Sequence, residues 1–139
     1  MTDAPAYLTD THPLIFLWED SPELGPAARV AFARAATGKA VIHVPTICLV
    51  EIRYKEDKGN DPAFPPGITD RARAFVETAP GFQWTSLDLE AAHEVRSVAR
   101  SAVPDMPDRI IAATARARGV PLITKDSKIV AWGGVEVVW

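Results

Sequence analysis

Four acidic residues far apart in the chain, Asp10, Glu51, Asp108 and Asp126, each stand inside or at the end of an apolar run. Asp10 closes AYLTD, and Asp126 follows VPLITK. Glu51 falls in VPTICLVEIRY, where Ile47, Val50, Glu51 and Tyr54 repeat at helical i, i+3, i+4, i+7 spacing, which predicts one inward face. Asp108 begins DRIIAATA, with Ile111, Ala112 and Ala115 on the same spacing. Charge on an inward face is costly unless it is paired or holds a metal. Two carboxylates ~4 Å apart repel by roughly 4 kcal/mol at an effective dielectric near 20, and a cation removes that repulsion. Oxygen-only donors suit magnesium or manganese rather than zinc. His12, His43 and His93 show no metal-ligand spacing, and His43 fits a core or edge position in AVIHV.

Each acid also has a simpler role open to it. Asp10 could end a turn before Thr11-His12-Pro13. Asp105 and Asp108 form a D-x-x-D pair that could be an N-cap with its N3 partner. Asp126 could cap a helix starting near Ser127. Glu51 has no capping position, and its alternative is a buried ion pair with an arginine. Taken together, four caps are not expected to meet at one place, whereas four ligands of one cation are.

Strand patterns occur at residues 6–9, 40–44, 82–87, 121–124 and 135–139. Helical patterns lie between them: Pro13 in the first turn of a helix to about Trp18, residues 26–36 ended by Gly38, and a helix capped by Thr46 that carries Glu51. Residues 69–78 are also helical. Asp88 caps a helix through Leu89, Ala92, Val95 and Ala99, and Asp105 or Pro107 begins the last long helix, which Gly119 closes. This alternation predicts an α/β fold, a mainly parallel sheet flanked by helices in three layers. In such a sheet the strand carboxyl ends and the following helix starts share one edge, where ligand sites form. Asp10 and Asp126 follow strands and Asp108 starts a helix, so the topology brings them together. The segment DKGNDPAFPPG reads as a mobile loop, a linker in preference to a lid.

With 139 residues and 47% hydrophobic content, residues 1–139 fit one domain with one sizeable core. Cys48 is the only cysteine, which excludes an intrachain disulfide and fits a reducing compartment. The apolar run 14–18 is too short for a secretory signal, and nothing approaches the ~20 apolar residues of a membrane span. These features predict a soluble cytoplasmic protein. The net charge of −3 does not mark a nucleic-acid binder. Its distribution is less neutral: residues 1–28 hold five acids and no base. From Val95 to Lys128 seven bases meet three acids, and a basic rim about an acidic pocket suits a phosphodiester. Walker A, dinucleotide-glycine and nucleophile-elbow motifs are missing. A phosphoaspartyl enzyme of the haloacid dehalogenase type needs an acid two residues after the first aspartate, where this chain has His12.

The segments YLTDTHPLIFLW, ICLVEIRY, PDMPDRIIAATARARGVPLIT and TKDSKI, in this order, resemble the PIN domain, and in detail the VapC toxins of VapBC toxin–antitoxin pairs. The resemblance runs nearly end to end, and D-x-x-D-R-x-I-A-A-T-A is its specific part. It implies a PIN-like fold and a magnesium- or manganese-dependent endoribonuclease leaving a 3′ hydroxyl and a 5′ phosphate. Asp10, Glu51, Asp108 and Asp126 correspond to the family's metal-binding acids, and Asp105 to an additional acid of the same loop. Thr11, Thr124 and Ser127 are then candidates to orient the carboxylates. Arg109, Lys125 and Lys128 are candidates for flanking RNA phosphates. The resemblance also implies a homodimer and a VapB-like antitoxin lying over Leu14, Phe16, Leu17, Trp18 and the helix from Thr46. A non-catalytic RNA-binding or regulatory domain fits the same sheet and basic rim.

Overall fold

The computed structural model describes residues 4–139. Its elements in chain order are β1 (Ala6–Thr9), α1 (Thr11–Trp18), α2 (Pro26–Ala36), β2 (Val41–Pro45), α3 (Thr46–Lys58) and α4 (Ile68–Thr78). Then come β3 (Phe82–Thr85), α5 (Leu89–Glu94), α6 (Met106–Arg118), β4 (Leu122–Ile123), α7 (Ser127–Trp132) and β5 (Val137–Val138). The strands form one fully parallel sheet in the order β3-β2-β1-β4-β5, with helices on both sides. Parallel strands buried on both faces need apolar residues throughout. Leu8, Ile42, Val44, Leu122 and Ile123 supply them, packed against Ala28, Phe32, Ile111 and Ala112 of the helices.

Strand order reverses between β1 and β4, so a crevice opens there at the carboxyl edge. Asp10 leaves the end of β1, and Thr124 leaves the end of β4. β2 runs directly into α3, which carries Glu51 to the same edge, while α6 enters it at its N-terminus with Asp108. Gly81 immediately precedes β3 at φ +74°, where a side chain would collide with the carbonyls of Ala35 and Ala40. Its own carbonyl accepts the Ile42 N–H at 2.7 Å, which sets the β2–β3 register. Among the described residues, no helix is long and apolar enough to cross a membrane.

The structure corrects several sequence expectations. The inward face of α3 is Cys48 and Ile52, with Leu49 half-buried, while Val50 and Tyr54 are 61% and 62% exposed. Both sets have helical spacing, and contact with α1 and α4 decides between them. The helix expected through Ala99 ends at Glu94 and tightens into a 3₁₀ turn over Val95–Ser97; Leu89 is 85% exposed, and Ala91 is its buried residue. Leu14 lies wholly in the core, so it offers nothing to a partner. The Pro-rich segment read as a linker is anchored. Phe64 is 3% exposed and packs with Ile15, Ile52, Ile68 and Ala72 in a second cluster. Glu56 fastens the far end of that segment by accepting from Gly67 N at 3.0 Å, Thr69 N at 2.9 Å and the Thr69 hydroxyl at 2.7 Å. These bonds, the Thr69 hydroxyl first, pull its carboxyl down to about 2.

Candidate metal centre

Three of the acids cap helices, as the simpler readings of Asp105 and Asp126 allowed and as the turn reading of Asp10 did not state. Asp10 caps α1, its Oδ1 accepting Thr11 N at 2.7 Å. Asp105 caps α6, its Oδ2 accepting Asp108 N at 3.1 Å. Asp126 caps α7, its Oδ1 accepting Lys128 N at 2.8 Å and Ile129 N at 3.1 Å. A cap uses one carboxylate oxygen and fixes the direction of the other. Capping and ligation are therefore compatible at the same residue. Glu51 and Asp108 cap nothing and stand half-buried, Glu51 on the second turn of α3 and Asp108 on the first turn of α6.

Two threonines connect these carboxylates. The buried Thr124 hydroxyl donates to Asp10 Oδ2 at 2.8 Å and accepts Asp126 N at 3.1 Å, across the crevice between β1 and β4. The Thr11 hydroxyl donates to Glu51 Oε1 at 2.6 Å, while its backbone N–H holds Asp10. A chain of bonds thus runs from Asp126 through Thr124, Asp10 and Thr11 to Glu51. Ser127 is exposed at the first position of α7.

The tightest grouping is Glu51, Asp105 and Asp108, which present carboxylate oxygens all within 4.8 Å of one another. Asp10 and Asp126 stand outside that trio yet close enough to act on Asp108. Among the described residues, none of these five acids forms an ion pair. The arginine alternative for Glu51 is thereby removed; Lys55 is the cation whose charge reaches it. The electrostatic result is large. Burial holds the Asp108 carboxyl up at about 8, and the negative charges of Asp10, Asp105, Asp126 and Glu51 add to it. Burial likewise raises Asp10, which is 7% exposed, against the opposing bonds from Thr124 and Thr11. Glu51 is raised by burial too, with the Thr11 hydroxyl opposing. Beneath them Cys48 is fully buried, its thiol pushed well above the ordinary range and directed at the Thr9 carbonyl.

Oxygen donors without histidine or thiolate, carrying uncompensated negative charge, fit a hard dication such as magnesium or manganese. In the sequence Asp105 is an additional acid beside Asp108, and the fold brings it into the trio. The usable signal was its D-x-x-D spacing, because an N-cap side chain folds back over the first turn of its own helix, where Asp108 stands. The basic rim is thinner than its count. Arg109 donates from Nε to Val98 O at 2.9 Å and from Nη2 to Val95 O at 3.3 Å, so this expected phosphate ligand instead ties α6 to the 3₁₀ turn. Arg116 pairs with Glu94, and Arg118 with Asp88. Lys125 and Lys128 flank Asp126, and both are exposed.

A parallel α/β sheet whose carboxyl edge gathers acids outside any ion pair is a place that could hold a metal ion. The chain belongs to the PIN domain family, which matches over residues 7–133; PIN domains are generally nucleases. No curated protein matches the sequence. The fold is similar to a chain of the DNA-bound VapBC complex from Salmonella typhimurium, with TM-score 0.69 and 20% identity over 96% of each chain. It is also similar to a chain of VapBC2 from Rickettsia felis bound to a promoter DNA fragment, with TM-score 0.67 and 13% identity, covering 95% of this chain and 96% of that one. A toxin–antitoxin complex from Klebsiella pneumoniae gives TM-score 0.61 and 23% identity over 93% and 94% of the two chains.

Proposed function

We propose that residues 1–139 form one cytoplasmic, divalent-cation-dependent endoribonuclease domain, the toxin of a VapBC-like toxin–antitoxin pair. The observation that carries it is the convergence of Glu51, Asp105 and Asp108, whose carboxylate oxygens lie within 4.8 Å of one another with none of them in an ion pair among the described residues. Carboxylates so close repel one another, and a dication would offset that repulsion. Asp10, Asp108 and Asp126, with Glu51 and Asp105, would hold magnesium or manganese. When bound, the ion supplies Lewis-acid activation of phosphate and water. The chain's own groups do the positioning. Thr124 and Thr11 fix Asp10 from both oxygens, and Thr11 engages Glu51 Oε1, which leaves Oε2 to orient the attacking water. Lys125 and Lys128 would meet the flanking phosphates. Hydrolysis then leaves a 3′ hydroxyl and a 5′ phosphate.

A VapB-like antitoxin follows from the same reading. The exposed Val50 and Tyr54, with Thr46, Leu49, Arg53 and Thr69, line a groove between α3 and α4. Phe16, Leu17 and Trp18 add partly buried apolar surface on α1. An arginine of such a partner could enter the acidic cluster. A second copy of the chain, making a homodimer, belongs to the same proposal. The test is incubation of the purified chain with RNA in magnesium, in manganese and in EDTA. RNA cut to 5′-phosphate ends only with metal, and not by Asp10→Asn, is the expected result. Metal-independent cleavage, or full activity of Asp10→Asn, refutes the assignment.

A further inference from the structure

Beside the acids runs a strip of rings and ammonium groups that the cation chemistry does not use. His12 is exposed on the first turn of α1, two residues after Asp10. Phe16 lies one turn further along the same face, its ring 6.3 Å from the imidazole at 48°. Phe64, from the anchored segment before α4, meets the imidazole edge-on at 6.4 Å and 85°. Each phenylalanine carries a lysine. Lys125 Nζ sits 4.8 Å from the Phe16 ring centre and Lys55 Nζ 6.0 Å from that of Phe64.

The position of the lysines is informative. Lys125 adjoins Asp126 in sequence, and Lys55 is one helical turn beyond Glu51. The i, i+4 spacing of Glu51 and Lys55 would allow an ion pair on the helix surface. Among the described residues neither lysine forms one. A ring face attracts an ammonium without using its N–H donors in a strong bond, so these donors stay available to phosphate oxygens. Phe64 is buried and Phe16 half-buried, which leaves the imidazole as the exposed ring between two cations. Sequence-tolerant binding of single-stranded nucleic acid uses this combination of positive charge and a stacking ring.

Resting on the nuclease reading, we infer that His12 is the nucleobase contact of the site. An unpaired base next to the scissile phosphate stacks on the imidazole, and Lys125 and Lys55 take the phosphates on either side. The required substrate is RNA with at least one unstacked base at the cut, because a base kept within a duplex presents no face to the ring.

The experiment measures binding of a short, labelled, mixed-sequence RNA by fluorescence anisotropy, with every variant built on full-length Asp108→Asn protein so that nothing is cut. His12→Ala should weaken binding about tenfold, whereas His12→Trp should stay within about twofold of the parent. An otherwise identical RNA with abasic sugars should bind parent and His12→Ala alike. His12 is exposed, and a thermal melt of each variant confirms folding. Equal binding of the intact RNA by parent and His12→Ala overturns the inference. So does rescue by His12→Lys with failure of His12→Trp, which would make the role one of charge. Cleavage assays in the Asp108 background separate the two proposals. If RNA is cut with metal and His12→Ala leaves KM unchanged, only the His12 role falls; if no RNA is bound or cut, the nuclease reading falls and takes it along.

Discussion

Removing the carboxylate of Asp108 should stabilise the metal-free protein. In the fold this group has its proton affinity raised from an ordinary 3.8 to about 8, first by burial and then by four neighbouring acids. The folded state therefore holds a proton that the unfolded chain has released, and stability falls as pH rises from about 4 to about 8. Full linkage for that displacement is roughly 6 kcal/mol at 1.36 kcal/mol per tenfold change in affinity. Asp108 is partly exposed, and solvent screening reduces the figure to about 2–3 kcal/mol. Asp10 and Glu51 are raised too and act with the same sign. Asp108→Asn keeps the shape and removes the titration. It also leaves the α6 cap untouched, because Asp105 makes it through the residue 108 backbone N–H. Thermal melts in EDTA should show wild type losing stability between pH 5 and 8, with the variant losing distinctly less, since Asp10 and Glu51 still titrate, and melting roughly 5–10 °C higher at pH 8. Saturating magnesium should raise wild type and close most of the gap, by about 2.7 kcal/mol at a hundredfold excess over its dissociation constant. A variant that melts below wild type at pH 8 in EDTA would refute the reasoning, because the carboxylate would then be a structural partner.

Thr124→Val removes the donor to Asp10 Oδ2 and the acceptor for Asp126 N. The magnesium concentration giving half-maximal cleavage should rise about 10–100-fold, and an unchanged value would show that this hydroxyl does not orient the acids. Phe64→Ala should cost about 3–5 kcal/mol in urea unfolding because it empties the centre of the second cluster; a change below about 0.5 kcal/mol would return the segment to a linker. Co-expression with a VapB-like antitoxin should relieve toxicity and give a copurifying complex. Tyr54→Glu, on the exposed face of α3, should weaken that complex, and retention at wild-type strength places the partner elsewhere.

The sequence shows the alternation of strands and helices because each parallel strand needs an apolar run and each crossover helix carries turn residues at its ends. With that alternation comes the edge on which Asp10, Asp108 and Asp126 stand. The inward face of α3 was hidden because Cys48–Ile52 and Val50–Tyr54 both repeat every four residues. Only packing against α1 and α4 tells them apart. Arg109 reads as a free cation until α5 shortens and its last turn offers the Val95 and Val98 carbonyls. Phe64 is masked by composition, since prolines and glycines around it mark a loop whether or not one side chain plugs the core. Thr11 and Thr124 were legible as neighbours of the acids. That one bridges Asp10 to Glu51 and the other Asp10 to Asp126 is a property of three-dimensional register.

The central claim, that this acidic edge is a divalent-cation site, is tested most directly by calorimetric titration of manganese into the apo protein at pH 7. Buffers of differing ionisation enthalpy report the protons released. Asp108 is largely protonated at that pH, being held up at about 8, and must lose its proton to bind a cation. Saturable binding by wild type with release of about one proton, and weak binding by Asp108→Asn without it, is the predicted result. No saturable binding by wild type, or equal binding by both proteins, would contradict the account.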